Sequence, residues 1–143
     1  MDNFRTEHFT LAELVKSDTA IAKRIDNTPT PEAEQNLKCL MMFVLEPARQ
    51  LLGEPIIVTS GYRCEKLNRA VGGVPTSQHV KGQAADLRCK TLPILKNLFQ
   101  ILSNMDIDQL LYERNSKGSE WIHVSFVEHG QNRHMVRDNY VVK

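Results

Sequence analysis

The segment Ser77-Gln78-His79-Val80-Lys81-Gly82-Gln83-Ala84-Ala85-Asp86 combines a histidine, an aspartate and the means to turn the chain between them. Six residues separate His79 from Asp86, and both reach one cation only if the backbone reverses on the way. Gly82 supplies that reversal, because glycine accepts backbone angles that a Cβ disfavours. The small Ala84 and Ala85 allow close packing where a strand over 84–88 is expected to begin. Alternation sends Ala84 and Asp86 to one face of it, Ala85 and Leu87 to the other. A second segment, Glu120-Trp121-Ile122-His123-Val124-Ser125-Phe126, offers another ligand. On a strand, Ile122, Val124 and Phe126 face the core, while Trp121, His123 and Ser125 share the opposite side.

A catalytic zinc site has three protein ligands and one open position, so His79, Asp86 and His123 are the candidate set for a single Zn²⁺. Such a metal brings the pKa of its water to roughly 7, and a neighbouring carboxylate can then take the proton. Glu120 is the candidate base, returning that proton later to the departing amine. Three residues before His123, however, strict alternation puts Glu120 on the wrong side. Its role therefore requires a bend or bulge at the start of the strand. Arg63, shortly after an expected strand and Gly61, is the best-placed arginine to support a developing oxyanion.

Each of these residues also has an ordinary reading. A histidine and an aspartate at this spacing arise readily by chance, and Glu120 can be a solvated turn charge. His123 can simply bond a neighbour, and Arg63 can pair with a carboxylate for structural reasons. His8, His129 and His134 lack suitable companions and read as surface residues.

The elements that must position the candidates are legible from caps and periodicity. Thr10 and Glu13 form a T-x-x-E capping box, with Phe9 and Leu14 placed for the hydrophobic staple, opening a helix that ends near Ser17. A short helical turn follows, with Asp18 as its cap and Ile21 and Ile25 on one face. Thr30 and Pro31 suit the N-cap and first position of a longer helix, which Pro47 should kink and Gly53 should end. Pro55 to Ser60 reads as a buried strand, and Tyr62 to Val71 as a loop with a short helix. Thr91-Leu92-Pro93 opens a helix through about Ser103, with Ile94, Leu95, Leu98, Ile101 and Leu102 inward. Gln109–Glu113 and Trp121–Val127 are strands around a polar turn, and Met135–Val142 is a candidate edge strand. Helices first and scattered strands afterwards predict an α+β fold with a mainly antiparallel sheet and flanking helices.

Bulk properties narrow the function further. The chain of 143 residues is read as one domain, 1–143, with no repeat or linker. A formal net charge of +1 and no basic block argue against nucleic acid as a partner. No stretch approaches the ~18 apolar residues of a membrane span, so membrane insertion is not expected. Met1–Thr10 is no secretory signal, which suggests synthesis in the cytoplasm. Cys39, Cys64 and Cys89 read as reduced thiols, with Cys39 in the core.

Taken together, Ser77–Asp86 resembles the S-x-H-x-x-G-x-A-x-D signature of the M15 zinc peptidases, the D-alanyl-D-alanine carboxypeptidase family. Glu120–His123 resembles that family's E-x-x-H element, and Ser60-Gly61-Tyr62-Arg63 its S-G-Y-R strand end. Leu67-Asn68, Val71-Gly72-Gly73, Phe9-Thr10-Leu11 and Asp26-Asn27-Thr28-Pro29 are similar to a small, phage- and prophage-associated branch. The resemblance implies a fold shared with the hedgehog signalling domain and one catalytic zinc. It further implies hydrolysis of peptidoglycan stem peptides next to D-amino acids, by a monomer. Glu120 would then be base, Arg63 an aid to substrate or transition state, and Ser77 a site-orienting or substrate-binding residue. Members cleave either a terminal D-alanine or the L-alanyl-D-glutamate bond, and the sequence leaves that choice open. A phage lysin acting at the bacterial wall or periplasm is the expected setting. The alternative is a non-catalytic zinc-binding interaction domain of the same fold.

Overall fold

A computed structural model describes the backbone of residues 1–141 and the side chains of residues 1–138. Six helices and five strands follow in the order α1 (Leu11–Val15), α2 (Asp18–Ala22), α3 (Pro31–Leu40), α4 (Glu46–Leu52), β1 (Ile57–Ser60), α5 (Glu65–Ala70), β2 (Ala84–Arg88), α6 (Leu92–Ser103), β3 (Gln109–Arg114), β4 (Glu120–Ser125) and β5 (Met135–Val141). The strands form one sheet in the order β1-β2-β4-β3-β5. The α+β expectation holds. Every pairing is antiparallel except β3 with β5, which run parallel at one edge.

Local chemistry explains the helix starts. Thr10 accepts from the Glu13 N–H while Glu13 accepts from the Thr10 N–H at 2.8 Å, so two otherwise orphaned donors are satisfied reciprocally. Thr30 and Thr91 cap α3 and α6 with the hydroxyl alone, accepting from the Ala33 and Ile94 N–H groups, each ahead of a proline in the first turn. At α2 the cap is Ser17, and Asp18 is the first helical residue; Ile21 points to solvent at 68% exposure. Asp18 instead places a carboxylate in the first turn, where it meets the helix dipole.

Pro47 acts on the chain as its chemistry requires. It has no N–H to donate, and its ring would strike the carbonyl of Phe43. The helix absorbs this by widening to a π-turn over Met41–Leu45, and the Glu46 N–H reaches back to the Met41 carbonyl. Gly53 then ends α4 in the left-handed conformation at φ 72°.

Helices α1, α3, α4 and α6 and the π-turn pack through Leu14, Leu37, Leu40, Ala48, Leu98, Leu102 and Val44 onto one face of the sheet. That face presents Ala85, Leu87, Leu110, Tyr112, Ile122 and Val124. In α6 the inward set includes Phe99, which helical spacing from Leu95 and Leu102 permits. Strand β1 is shorter than Pro55–Ser60 and lies at the sheet edge, with Ile57 51% exposed, so it is not buried. Strand β5 is an edge strand as expected, and Val142 lies outside the described residues. Cys39 is half-buried against the core. Among the described residues no helix is long and apolar enough to cross a membrane.

Candidate metal centre and active site

The opposite face of the sheet, away from those helices, carries the candidate ligands. Asp86 on β2 pairs directly with His123 on β4, so both side chains rise from adjacent positions of one face. His79 arrives from a 3₁₀ turn over Gln78–Lys81 that precedes β2. Ser77 caps that turn, its Oγ accepting from the His79 N–H at 3.2 Å. Gly82 ends it at φ 72°, and the Ala33 carbonyl oxygen occupies the space a Cβ would take there, 2.4 Å from that position. A Cβ there would meet that oxygen as well as the unfavourable left-handed backbone. Gly82→Ala should therefore cost at least about 1–2 kcal/mol, read as a lower urea midpoint in the metal-free protein.

The His79 ring is held in one tautomer. Its Nδ1 lies 2.7 Å from the Gly61 carbonyl oxygen, which can only accept, so Nδ1 carries the proton. Nε2 is thereby left with a lone pair directed at Asp86 Oδ1, 3.4 Å away. His123 Nδ1 lies 3.2 Å from the same oxygen. A tetrahedral ion with bonds of 2.0–2.1 Å separates its ligand atoms by about 3.3 Å. The three donors also lie within 4.8 Å of one another. Donor types, spacing and the fixed tautomer all fit Zn²⁺. Burial pushes the Asp86 carboxyl upward, but where the two imidazoles are protonated and both ring nitrogens donate, the hydrogen bonds and charges of His123 and His79 outweigh it and hold the group far below the usual carboxylate range.

Arg63 stands beside this cluster, its Nη2 3.7 Å from Asp86 Oδ2. Its Nε donates to Ser60 Oγ at 3.1 Å and its Nη1 to Asn68 Oδ1 at 3.3 Å, which fixes the guanidinium. His79, Asp86, His123, Arg63 and Ser77 thus line one cleft.

Glu120 does not join them. The pairing of β3 with β4 runs without a register break from Leu110–Val124 to Arg114–Glu120, so the bulge on which a catalytic Glu120 depended is absent. Strict alternation keeps Glu120 on the face of Ile122 and Val124. There its Oε1 accepts from the Tyr112 hydroxyl at 2.6 Å. Tyr112 is itself buried edge-on against Phe99 of α6. Burial, followed by Glu120, pushes that phenol's pKa up.

A different carboxylate lines the cleft. Glu113 on β3 pairs with Trp121, and Leu111 with His123, so Glu113 is a diagonal neighbour of His123 on the ligand face. Burial and the Asp86 charge raise its pKa to about 6, against the opposing pull of His123 and Arg63. The signal was present in the hairpin. Asn115 Oδ1 accepts from the Lys117 and Ser119 N–H groups, and Gly118 takes φ 84°, closing a turn over 115–119. That loop length makes Arg114 and Glu120 partners, which sets Glu113 opposite Trp121.

Asp108, at the foot of β3, is the other polar residue not foreseen. It is 2% exposed and accepts from the Arg133 backbone N–H and guanidinium and from Gln78 Nε2, the residue before His79. These contacts, Arg133's foremost, lower its pKa to about 2. A carboxyl depressed from 3.8 stabilises the fold above that value and loses the contribution as pH falls through about 2. Asp108→Asn should cost about 1–2 kcal/mol at pH 7, discounted because Arg133 is exposed. The gap between the two proteins should close between pH 4 and pH 2 in denaturant titrations.

Two further histidines behave as surface groups: His129 pairs with Asp106 at 61% side-chain exposure, and His134 Nε2 meets the Ser103 carbonyl. His8 ties the N-terminal segment to α4 through Glu46. A comparison with curated proteins found no match. The family model described as Peptidase M15 matches residues 7–125, which spans every ligand and cleft residue above except Arg133, and the chain belongs to this family of metallopeptidases.

Proposed function

We propose that the chain hydrolyses peptide bonds in peptidoglycan stem peptides next to D-amino acids, using one Zn²⁺ held by His79, Asp86 and His123. The observation that carries the reading is the convergence on one cleft of that donor set, Arg63 and the half-buried Glu113. A module that only binds a partner requires neither a carboxyl poised near neutrality nor a fixed cation beside its metal. The choice of peptidoglycan is supported by the similarity of Ser77–Asp86 and Ser60–Arg63 to the cell-wall branch of the family. The similarity of Leu67-Asn68, Val71-Gly72-Gly73, Phe9-Thr10-Leu11 and Asp26-Asn27-Thr28-Pro29 to a small phage- and prophage-associated branch supports a lysin acting at the bacterial wall.

In this reading, bound zinc supplies a Lewis acid and a water of lowered pKa. Glu113 receives the proton of the attacking water. With a pKa displaced toward neutrality it can also release that proton to the leaving amine. Arg63 keeps its Nη2 edge toward the reacting centre, where charge develops on the carbonyl oxygen. His79 is kept in its ligating tautomer by Gly61, and Ser77 holds the turn that delivers it. The base role thus moves from Glu120 to Glu113.

The test is digestion of purified peptidoglycan by zinc-loaded protein, with mass analysis of the fragments. New termini adjoining D-amino acids are expected. Intact sacculi after incubation with protein that demonstrably holds zinc would overturn the proposal.

A further inference from the structure

The foot of the metal cleft holds a cation that the proposed chemistry leaves unused. Arg133 lines the same cleft of about 770 Å³ as His79, Asp86 and His123, yet lies beyond residues 7–125 of the family match. Strand register says which end it occupies. Its partner Asp108 directly precedes Gln109, which lines the cleft two residues along β3 from Leu111, the residue paired with His123. Two residues of antiparallel strand span roughly 7 Å, about one dipeptide step. Glu113 stands two residues from Leu111 in the other direction, so Arg133 and Glu113 lie at opposite ends of the ligand row.

The guanidinium is fixed on one edge and open on the other. Nε donates to Asp108 Oδ1 at 3.1 Å and Nη2 to Asp108 Oδ2 at 2.8 Å, a bidentate pair. Asp108 is 2% exposed and also accepts from the Arg133 backbone N–H and from Gln78 Nε2, each at 2.9 Å, which fills its acceptor sites. An arginine carries five N–H groups in one plane, so Nη1 and the outer hydrogen of Nη2 form a second fork. Among the described residues nothing bonds Nη1, and the side chain is 58% exposed. A fork held by a buried carboxylate loses little freedom on taking an anion, and a second carboxylate is its matched partner. The other cations of the cleft do not offer this: Arg63 commits Nε to Ser60 and Nη1 to Asn68, and Lys81 is a single exposed ammonium.

We propose that Arg133 is a specificity-determining residue that grips a carboxylate of the substrate through its open edge. This rests on the peptidase reading above and adds a chemical group that the cleft recognises. A stem peptide offers two such carboxylates, the free carboxyl of its D-glutamate and its chain terminus, and the fork suits both.

Three synthetic stem peptides test it with the zinc-loaded full chain: one with both carboxylates free, one amidated at the D-glutamate and one amidated at the terminus. One of the amidations should lower kcat/KM about tenfold, chiefly through KM, and so identify the carboxylate that is held. Arg133→Gln should bring that acid-to-amide ratio close to one, whereas a merely structural arginine would lower all three peptides alike and keep the ratio. Arg133→Lys, which leaves a cation for Asp108 but no fork, should fold as the parent does and still lose most of the ratio. Calorimetric binding of the same peptides to zinc-loaded Glu113→Gln protein should show the same preference, and adding Arg133→Gln should abolish it, a readout independent of turnover. Equal binding and equal kcat/KM for all three peptides, or a ratio that survives Arg133→Gln or falls only in Lys81→Gln, would overturn this proposal and leave the peptidase reading standing. If no peptide is cut with zinc bound while the acid form still binds through Arg133, the peptidase reading falls and the carboxylate site stands.

Discussion

Glu113→Gln should lower kcat on a stem peptide by about 10²–10⁴-fold while the protein still holds one zinc, because a positioned acid–base group contributes about that factor. Glutamine keeps the shape and polarity of the side chain and removes the ionisable carboxyl. Glu120→Gln should change kcat far less. It weakens a contact with Tyr112 on the other face of β4, worth about 1 kcal/mol of stability. Steady-state kinetics paired with metal analysis of the same samples separates the two carboxylates. A large loss in Glu120→Gln with Glu113→Gln still active would return the base role to Glu120.

The same substitution has a signature in the metal-free protein. Glu113 has its pKa raised from 4.5 to about 6 by burial and by Asp86. A carboxyl raised on folding takes up a proton as the chain folds. Its favourable contribution is therefore complete below 4.5 and lost as pH rises through 6. Glu113→Gln does not titrate. Wild-type protein should lose about 1 kcal/mol relative to the variant between pH 4 and pH 7, after discounting for solvent screening. Chemical denaturation in chelator at both pH values measures it.

The second large effect concerns the ligands. Asp86→Asn or His79→Ala should weaken zinc binding by more than about 100-fold, since loss of a mere supporting partner already costs 10–100-fold. Competition with a chromophoric chelator reads this directly. In the parent protein, zinc at a thousand times its Kd should add about 4 kcal/mol to unfolding stability. A chelator should remove that increment, and neither ligand variant should show it at the same zinc concentration. Unchanged thermal stability of the parent on zinc addition would argue against the site.

How much of this was legible beforehand varies with the reach of the interactions involved. Thr10, Thr30 and Thr91 announce their helices because a cap acts over three residues. Pro47 announces a disturbance four residues upstream, though not that it takes the form of a π-turn. The exposure of β1 was not legible: Ile56, Ile57 and Val58 have the composition of a buried strand, and only the order of strands in the sheet leaves them at an edge. The parallel pairing of β5 with β3 is of the same kind.

His79 and Asp86 were determined by the sequence itself, because a turn with a left-handed glycine and small neighbours leaves few ways to connect them. His123 followed from the two-residue period of its own strand. The partner carboxylate was decided only in three dimensions. Whether Glu113 or Glu120 faces the ligands depends on how two strands align across a hairpin, and a slip of one residue would exchange their faces. Arg63, near in sequence to none of the ligands, joins them because the Tyr62 N–H bonds the Leu14 carbonyl and the Arg63 N–H bonds the His79 carbonyl. Local chemistry therefore chose the candidate metal ligands, while strand register chose which carboxylate faces them.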